Sequence, residues 1–157
     1  MATSKSNSRK IVIAMDGSEY SDYAFDYYVE NLHRTTDEVV FIYCADITIA
    51  IHSPLRHDAN HLEKVITEQQ KHMDEITDEL NTKIQKSGVK GRIIRLMNKD
   101  IGHAIVSQAE NEQATLIVTG TRGRGRLRRT FLGSVSEYIV NHSSIPVLVC
   151  RRPSEKK

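Results

Sequence analysis

Short, unbroken apolar runs rich in β-branched residues alternate along this chain with longer segments whose apolar residues recur every three or four positions. The runs are residues 10–15 (KIVIAM), 39–45, the set Ile93, Ile94, Leu96 and Met97, residues 115–119, and residues 146–150, which open on Pro146. Runs without polar alternation suit strands buried on both faces, as in a parallel sheet. The third run is shorter and flanked by Arg92 and Arg95, as expected of an outer strand. A leading proline is tolerated only at a strand start or a sheet edge. Between the runs, Ser18 is placed to cap a helix carrying Tyr20, Ala24, Phe25, Tyr28, Val29 and Leu32. A long helix carries Leu62, Val65, Ile66, Met73, Ile76, Leu80 and Ile84 and stops at Ser87-Gly88. Asp100 caps a helix with Ile101, Ala104, Ile105, Gln108 and Ala109, and Ser134 opens a fourth.

Five strands strictly alternating with four helices predict an α/β fold: a single doubly wound sheet of mainly parallel strands with helices on both faces and right-handed crossovers. In such sheets ligands bind beyond the strand C-termini, where the strand order reverses. With the order 3-2-1-4-5 the reversal falls between the first and fourth strands, so Asp16 and Gly120 face each other across one crevice. The loop over residues 46–60, polar and histidine-bearing, has no placement from sequence. A chain of 157 residues with 39% hydrophobic content has room for one such domain and not for two. It is expected over residues 9–152, between a disordered tail at 1–8 and a tail at 153–157. No apolar run reaches the roughly 18 to 20 residues of a membrane span, and residues 2–10 are polar and basic. Cys44 and Cys150 sit in apolar runs without Cys-x-x-Cys spacing and read as small core residues. These features predict a cytoplasmic protein with reduced thiols.

The segment 120–134, GTRGRGRLRRTFLGS, follows the fourth strand and leads into the last helix. Its glycines let backbone N–H groups turn inward at close range, its arginines supply fixed positive charge, and a helix start presents unpaired donors and a positive dipole end. The combination predicts a phosphate cradle. The formal net charge of +2 conceals an asymmetry: residues 120–157 carry nine Lys or Arg against two Glu, whereas residues 1–119 carry thirteen against eighteen acids. That polarity steers an anionic ligand toward the C-terminal third. Ser134-x-x-Glu137 also has the form of a capping box, which leaves the N–H groups of Ser134 and Val135 for a phosphate. No Gly-Lys-Ser/Thr P-loop occurs, and the turn after the first strand reads Asp16-Gly17-Ser18 rather than a dinucleotide fingerprint.

The spacing Gly120-x2-Gly123-x9-Gly133-Ser134 resembles the ATP-binding signature of the universal stress protein family. The resemblance spans nearly the whole chain, through residues 11–18 (IVIAMDGS), 116–123 (LIVTGTRG), 132–137 (LGSVSE) and 146–149 (PVLV). It implies an adenine nucleotide alpha hydrolase-like fold, ATP as ligand, and a homodimer through the edge strand Val147–Val149. It further implies that Gly120, Gly123, Gly133, Ser134 and Val135 surround the phosphates, while the charge of the loop itself nominates Arg122 and Arg124 as phosphate partners. Asp16 would lie near the ribose, and the backbone of Ala14 and Cys44 would meet the adenine. Cys44 stands where the family often has an aliphatic residue, and Ala114-Thr115 replaces a common Ala-Asp.

No catalytic residue is assigned. Asp16 could hold Mg2+ through water, but one carboxylate is a thin metal site and hydrogen bonding to sugar hydroxyls is the better reading. Hydrolysis, if any, is then slow, and the expected role is a nucleotide-responsive stress-tolerance protein. His57 and His61, with His52 and His72 nearby, have metal-compatible spacing yet lack a completing cysteine or carboxylate pair and read as exposed polar residues. Two other classes compete. One is a polyanion or nucleic-acid binder using Arg122, Arg124, Arg126, Arg128 and Arg129, disfavoured because no aromatic residue is interleaved for base stacking. The other is a ligand-free dimeric scaffold.

Overall fold

In the computed structural model, residues 8–48, 52, 54–55, 57–122 and 132–153 are described. The strands are β1 (Lys10–Met15), β2 (Glu38–Asp46), β3 (Gly91–Asn98), β4 (Leu116–Gly120) and β5 (Val147–Cys150). They form one sheet of order β3-β2-β1-β4-β5 in which every neighbouring pair is parallel. β1 is central: Met15 is in register with Tyr43 of β2, and Val12 with Ile117 of β4. Its residues 11–15 and residues 39–45 of β2 are all buried, the continuous burial that a sheet covered on both faces requires.

The helices given by the described residues are α1 (Glu19–Asn31), α2 (Ala59–Ser87), α3 (Ile101–Asn111) and α4 (Ser134–His142). α1 and α2 cover one face, where Phe25, Tyr28, Leu80 and Ile84 pack on Ile11, Ile13, Phe41 and Val118. α3 and α4 cover the other, where Ile105, Val106, Ala109 and Ile139 pack on Val12, Val40, Ile42 and Ile117. The two helices cross closely because Gly102 lacks a side chain: a β-carbon there would stand 2.8 Å from Cβ of Tyr138. Caps mark the ends as the sequence implies. The Ser18 hydroxyl accepts from the N–H of Ser21, Asp58 from Asn60, Asp100 from His103, and Gly88 closes α2 in the left-handed conformation at φ 72°.

Two features differ from the sequence reading. β3 is not short but eight residues long, because its exposed positions, Arg92 and Arg95 among them, interrupt the apolar run without interrupting the ladder to β2. Arg95 pairs with Asp74 at 2.7 Å and Arg92 with Glu112, so this edge is lined with charge. In the histidine-bearing segment, Asp46 accepts from the N–H of Thr48 at 2.8 Å, and the N–H of His52 donates to the Thr48 carbonyl at 2.9 Å. Nearer α2, the N–H of Asp58 donates to the Leu55 carbonyl at 2.9 Å, and Asp58 caps the helix.

A buried polar cluster closes the end of the sheet where β1 and β2 begin. The Asp37 carboxylate, fully buried, accepts from Arg9 Nε at 2.9 Å and Nη2 at 2.7 Å, from the Tyr28 hydroxyl at 2.7 Å and from the N–H of Arg34 at 2.9 Å. Burial pushes this carboxyl up, and the hydrogen bonds from Arg9, Tyr28 and Arg34 outweigh it, leaving it lowered to about 2. Burial, with the hydrogen bond to Asp37, raises the Tyr28 phenol far above its ordinary range.

Candidate functional site

At the opposite end, where β1, β2 and β4 terminate, lies a crevice of about 520 Å3. It occupies the reversal of strand order between β1 and β4, the position at which open α/β sheets part their loops. Ala14 and Asp16 enter it from β1 and the turn beyond, Cys44 from β2, Gly120 and Arg122 from the end of β4, and Gly133, Ser134 and Val135 from the start of α4. Eight of the ten residues nominated from sequence therefore meet around one space. Gly123 and Arg124 lie outside the described residues, as do Arg126, Arg128 and Arg129.

The turn after β1 is built by side chain to backbone bonding. Asp16 Oδ1 accepts from the N–H of Ser18 at 2.9 Å, Gly17 takes φ 74°, and the Ser21 hydroxyl donates to the Ser18 carbonyl at 3.0 Å. This fixes the Asp16 carboxylate at the crevice wall. Across the crevice, the stems of the glycine-arginine segment are tied together. The Thr121 carbonyl accepts from the N–H of Gly133 at 2.6 Å and from the buried Ser136 hydroxyl at 3.0 Å.

α4 starts differently from the capping box expected at Ser134 and Glu137. Gly133 is the N-cap, and among the described residues no side chain caps the helix. The hydroxyl in the first turn that bonds backbone is that of Ser136, shared between the carbonyls of Gly133 and Thr121. The box fails because Ser134 is already the first helical residue, one position too late for its hydroxyl to accept from the third turn residue. The first turn of α4, whose N–H groups have no acceptor within the helix, lines the crevice through Ser134, Val135 and Ser136, so the positive end of its dipole lies at the crevice wall.

Gly120 proves necessary for a reason other than room for a ligand. A β-carbon there would lie 2.6 Å from the Tyr20 carbonyl oxygen and 2.8 Å from its carbon, so the glycine admits the first turn of α1 against β4. Cys44 is buried, and burial raises its thiol to about 11; Cys150, outside the crevice, is raised to about 11 by the same cause. Apolar walls come from Ala14, Cys44, Val135 and, on α3, Ile101 and Ile105.

Sequence reasoning missed Ile101, Ile105, Tyr43, Asp46, Ser136, Gln69 and His72 as parts of this wall. Gln69 and His72 belong to α2; their polarity on an amphipathic helix gave no sign that they face anything but solvent. His57 and His61, which share the metal-compatible spacing near His72, do not line the crevice. Thr115, at the departure from the family pattern, donates through both N–H and hydroxyl to the Lys10 carbonyl, at the far end of the sheet.

Comparison with known proteins places these features in one lineage. The model of the universal stress protein family matches residues 7–151. The chain is 29% identical over 152 residues to the universal stress protein MJ0531 of Methanocaldococcus jannaschii, covering 94% of this chain and 85% of that one. Its fold is similar to that of the universal stress protein UspA from Lactobacillus plantarum, with a TM-score of 0.71, 24% identity and coverage of 91% and 97%. It is also similar to an Arabidopsis thaliana universal stress protein family protein, At3g01520, solved with AMP bound, with a TM-score of 0.63, 15% identity and coverage of 94% of each chain. The strand order, the site at the reversal and the family match over nearly the whole length agree: the chain belongs to the universal stress protein family.

Proposed function

We propose that the crevice binds an adenine nucleotide, ATP in the first instance, and that the protein is a nucleotide-responsive homodimeric stress protein of the cytoplasm rather than a dedicated ATPase. The observation that carries this reading is that one crevice joins a positively charged, donor-bearing β4 side to an acidic group after the central strand and to an apolar wall that includes Cys44 of β2. Arg122 and the uncapped first turn of α4 supply positive charge and backbone donors on the β4 side. Asp16 faces them from β1, and Ala14, Cys44, Ile101, Ile105 and Val135 form a surface suited to a flat base. A triphosphate at α4, a ribose beside Asp16 and adenine on the apolar wall use each part once. The volume lies in the range of small-molecule sites, roughly 300 to 1,000 Å3, and the Arabidopsis relative in fold carries AMP.

Binding is favoured over turnover by the carboxylates. Among the described residues lining the crevice these are Asp16 and Asp46, and each already has Oδ1 accepting from a nearby backbone N–H. Asp16 suits sugar hydroxyls; Mg2+ at that position would be held through water and by the phosphates. Calorimetric titration of ligand-stripped protein with ATP, ADP and AMP is the test, joined to a mass measurement on denatured preparations to identify retained nucleotide. Heat with at least one of them is expected; silence from all three in folded protein would refute the assignment.

A further inference from the structure

The helix α2 is longer than the sheet it covers. Its 29 residues span about 43 Å at 1.5 Å each, yet its buried residues, Met73, Ile76, Leu80 and Ile84, all lie at or beyond its midpoint. Since α2 runs back from the end of β2 to the start of β3, its N-terminal half overhangs the strand C-termini, the end at which the crevice opens. Met73 and Ile76 anchor it there by packing on Tyr43 and Ala45 of β2. Gln69 and His72 lie four residues before these anchors, on the same helical stripes and one turn further out. Both line the crevice, on its β2 side.

We infer that Gln69 and His72 are specificity-determining residues of the crevice that recognise the nucleoside part of its ligand, an inference that rests on the nucleotide reading above. The phosphate-binding features, Arg122 and the first turn of α4, stand on the β4 side, and β1 with Asp16 lies between β4 and β2. A nucleotide with its phosphates at α4 and its ribose beside Asp16 extends its remaining part toward β2, beneath α2. The Gln69 carboxamide carries both donors and an acceptor, suited to a base edge or a sugar hydroxyl, and the His72 imidazole brings a ring to the same wall. The same overhang limits what can enter from that side.

The test compares Gln69→Ala and His72→Ala with Arg122→Ala in titrations with AMP, ADP and ATP. Alanine keeps the helix, so thermal midpoints of the two α2 variants should match the parent's. Each α2 substitution is expected to weaken all three nucleotides by the same factor, about tenfold, the worth of one hydrogen bond within a site. Arg122→Ala should lose progressively more as phosphates are added. Parental affinity in both α2 variants, or a loss that grows with phosphate number, overturns the inference while leaving the nucleotide site standing. Absence of binding by the parent protein itself overturns both.

Discussion

Gly120 carries two meanings that only coordinates separate. Its place in the glycine-arginine signature suggests accommodation of phosphate, while its surroundings show accommodation of α1, whose Tyr20 carbonyl would be 2.6 Å from any β-carbon. Gly120→Ala is therefore expected to lower stability by about 1 to 3 kcal/mol through forced displacement of α1, whether or not ligand is present. Urea unfolding with and without nucleotide checks this. A loss confined to affinity, with the unfolding midpoint unchanged, would contradict it. Asp37 is the other residue on which much depends. Its carboxyl is lowered in the folded state from the ordinary 3.8 to about 2, so its contribution is complete above the unfolded value and disappears as pH falls from about 4 to about 2. That contribution is on the order of 2 kcal/mol. Asp37→Asn should cost about 3 kcal/mol near neutrality, because Arg9 and Tyr28 lose a charged partner. It should also flatten the decline of stability between pH 4 and pH 2 in a series of urea titrations; an acid limb as steep as the parent's would exclude the assigned role.

At the level of elements, the start of α4 is where structure and chemistry meet. Gly133 has φ −75° and ψ 163°, extended backbone that any residue adopts, and its N–H is bonded to Thr121. Gly133→Val is expected to leave the fold intact and to abolish nucleotide binding, since a branched side chain would project where backbone must approach phosphate. Far-ultraviolet circular dichroism and calorimetry report the two halves of that statement separately. The nine elements of the described residues were legible in the sequence, because the buried strands and amphipathic helices carry their periods openly and Ser18, Asp100 and Gly88 punctuate them. Legibility failed where neighbours rather than local pattern decide. β3 extends through its charged residues because β2 supplies a full ladder. Ser134 is a helix residue rather than a cap because the tie from Gly133 to Thr121 sets where the first turn begins. Gln69 and His72 gave no signal because the overhang of α2 exists only once the sheet is assembled.

For the molecule as a whole, the two sheet edges are unlike. β3 carries Arg92 and Arg95 in ion pairs, whereas β5 is four residues of VLVC without charge. An uncharged edge invites pairing with a second copy. Sedimentation equilibrium is expected to return twice the 17.8 kDa chain mass; a monomer mass at micromolar concentration would remove the proposed dimer. Among the described residues no helix is long and apolar enough to cross a membrane. The two ends of the sheet differ as well. The Arg9, Tyr28 and Asp37 cluster is sealed beneath the start of β1 and β2, and the crevice opens a full strand length away. The buried fastening and the proposed recognition site thus stand at opposite poles. Altering the crevice toward a different guest at positions that do not also seat a helix, as Gly120 does, leaves the acid-labile fastening untouched, so selectivity can drift there while resistance to unfolding stays put.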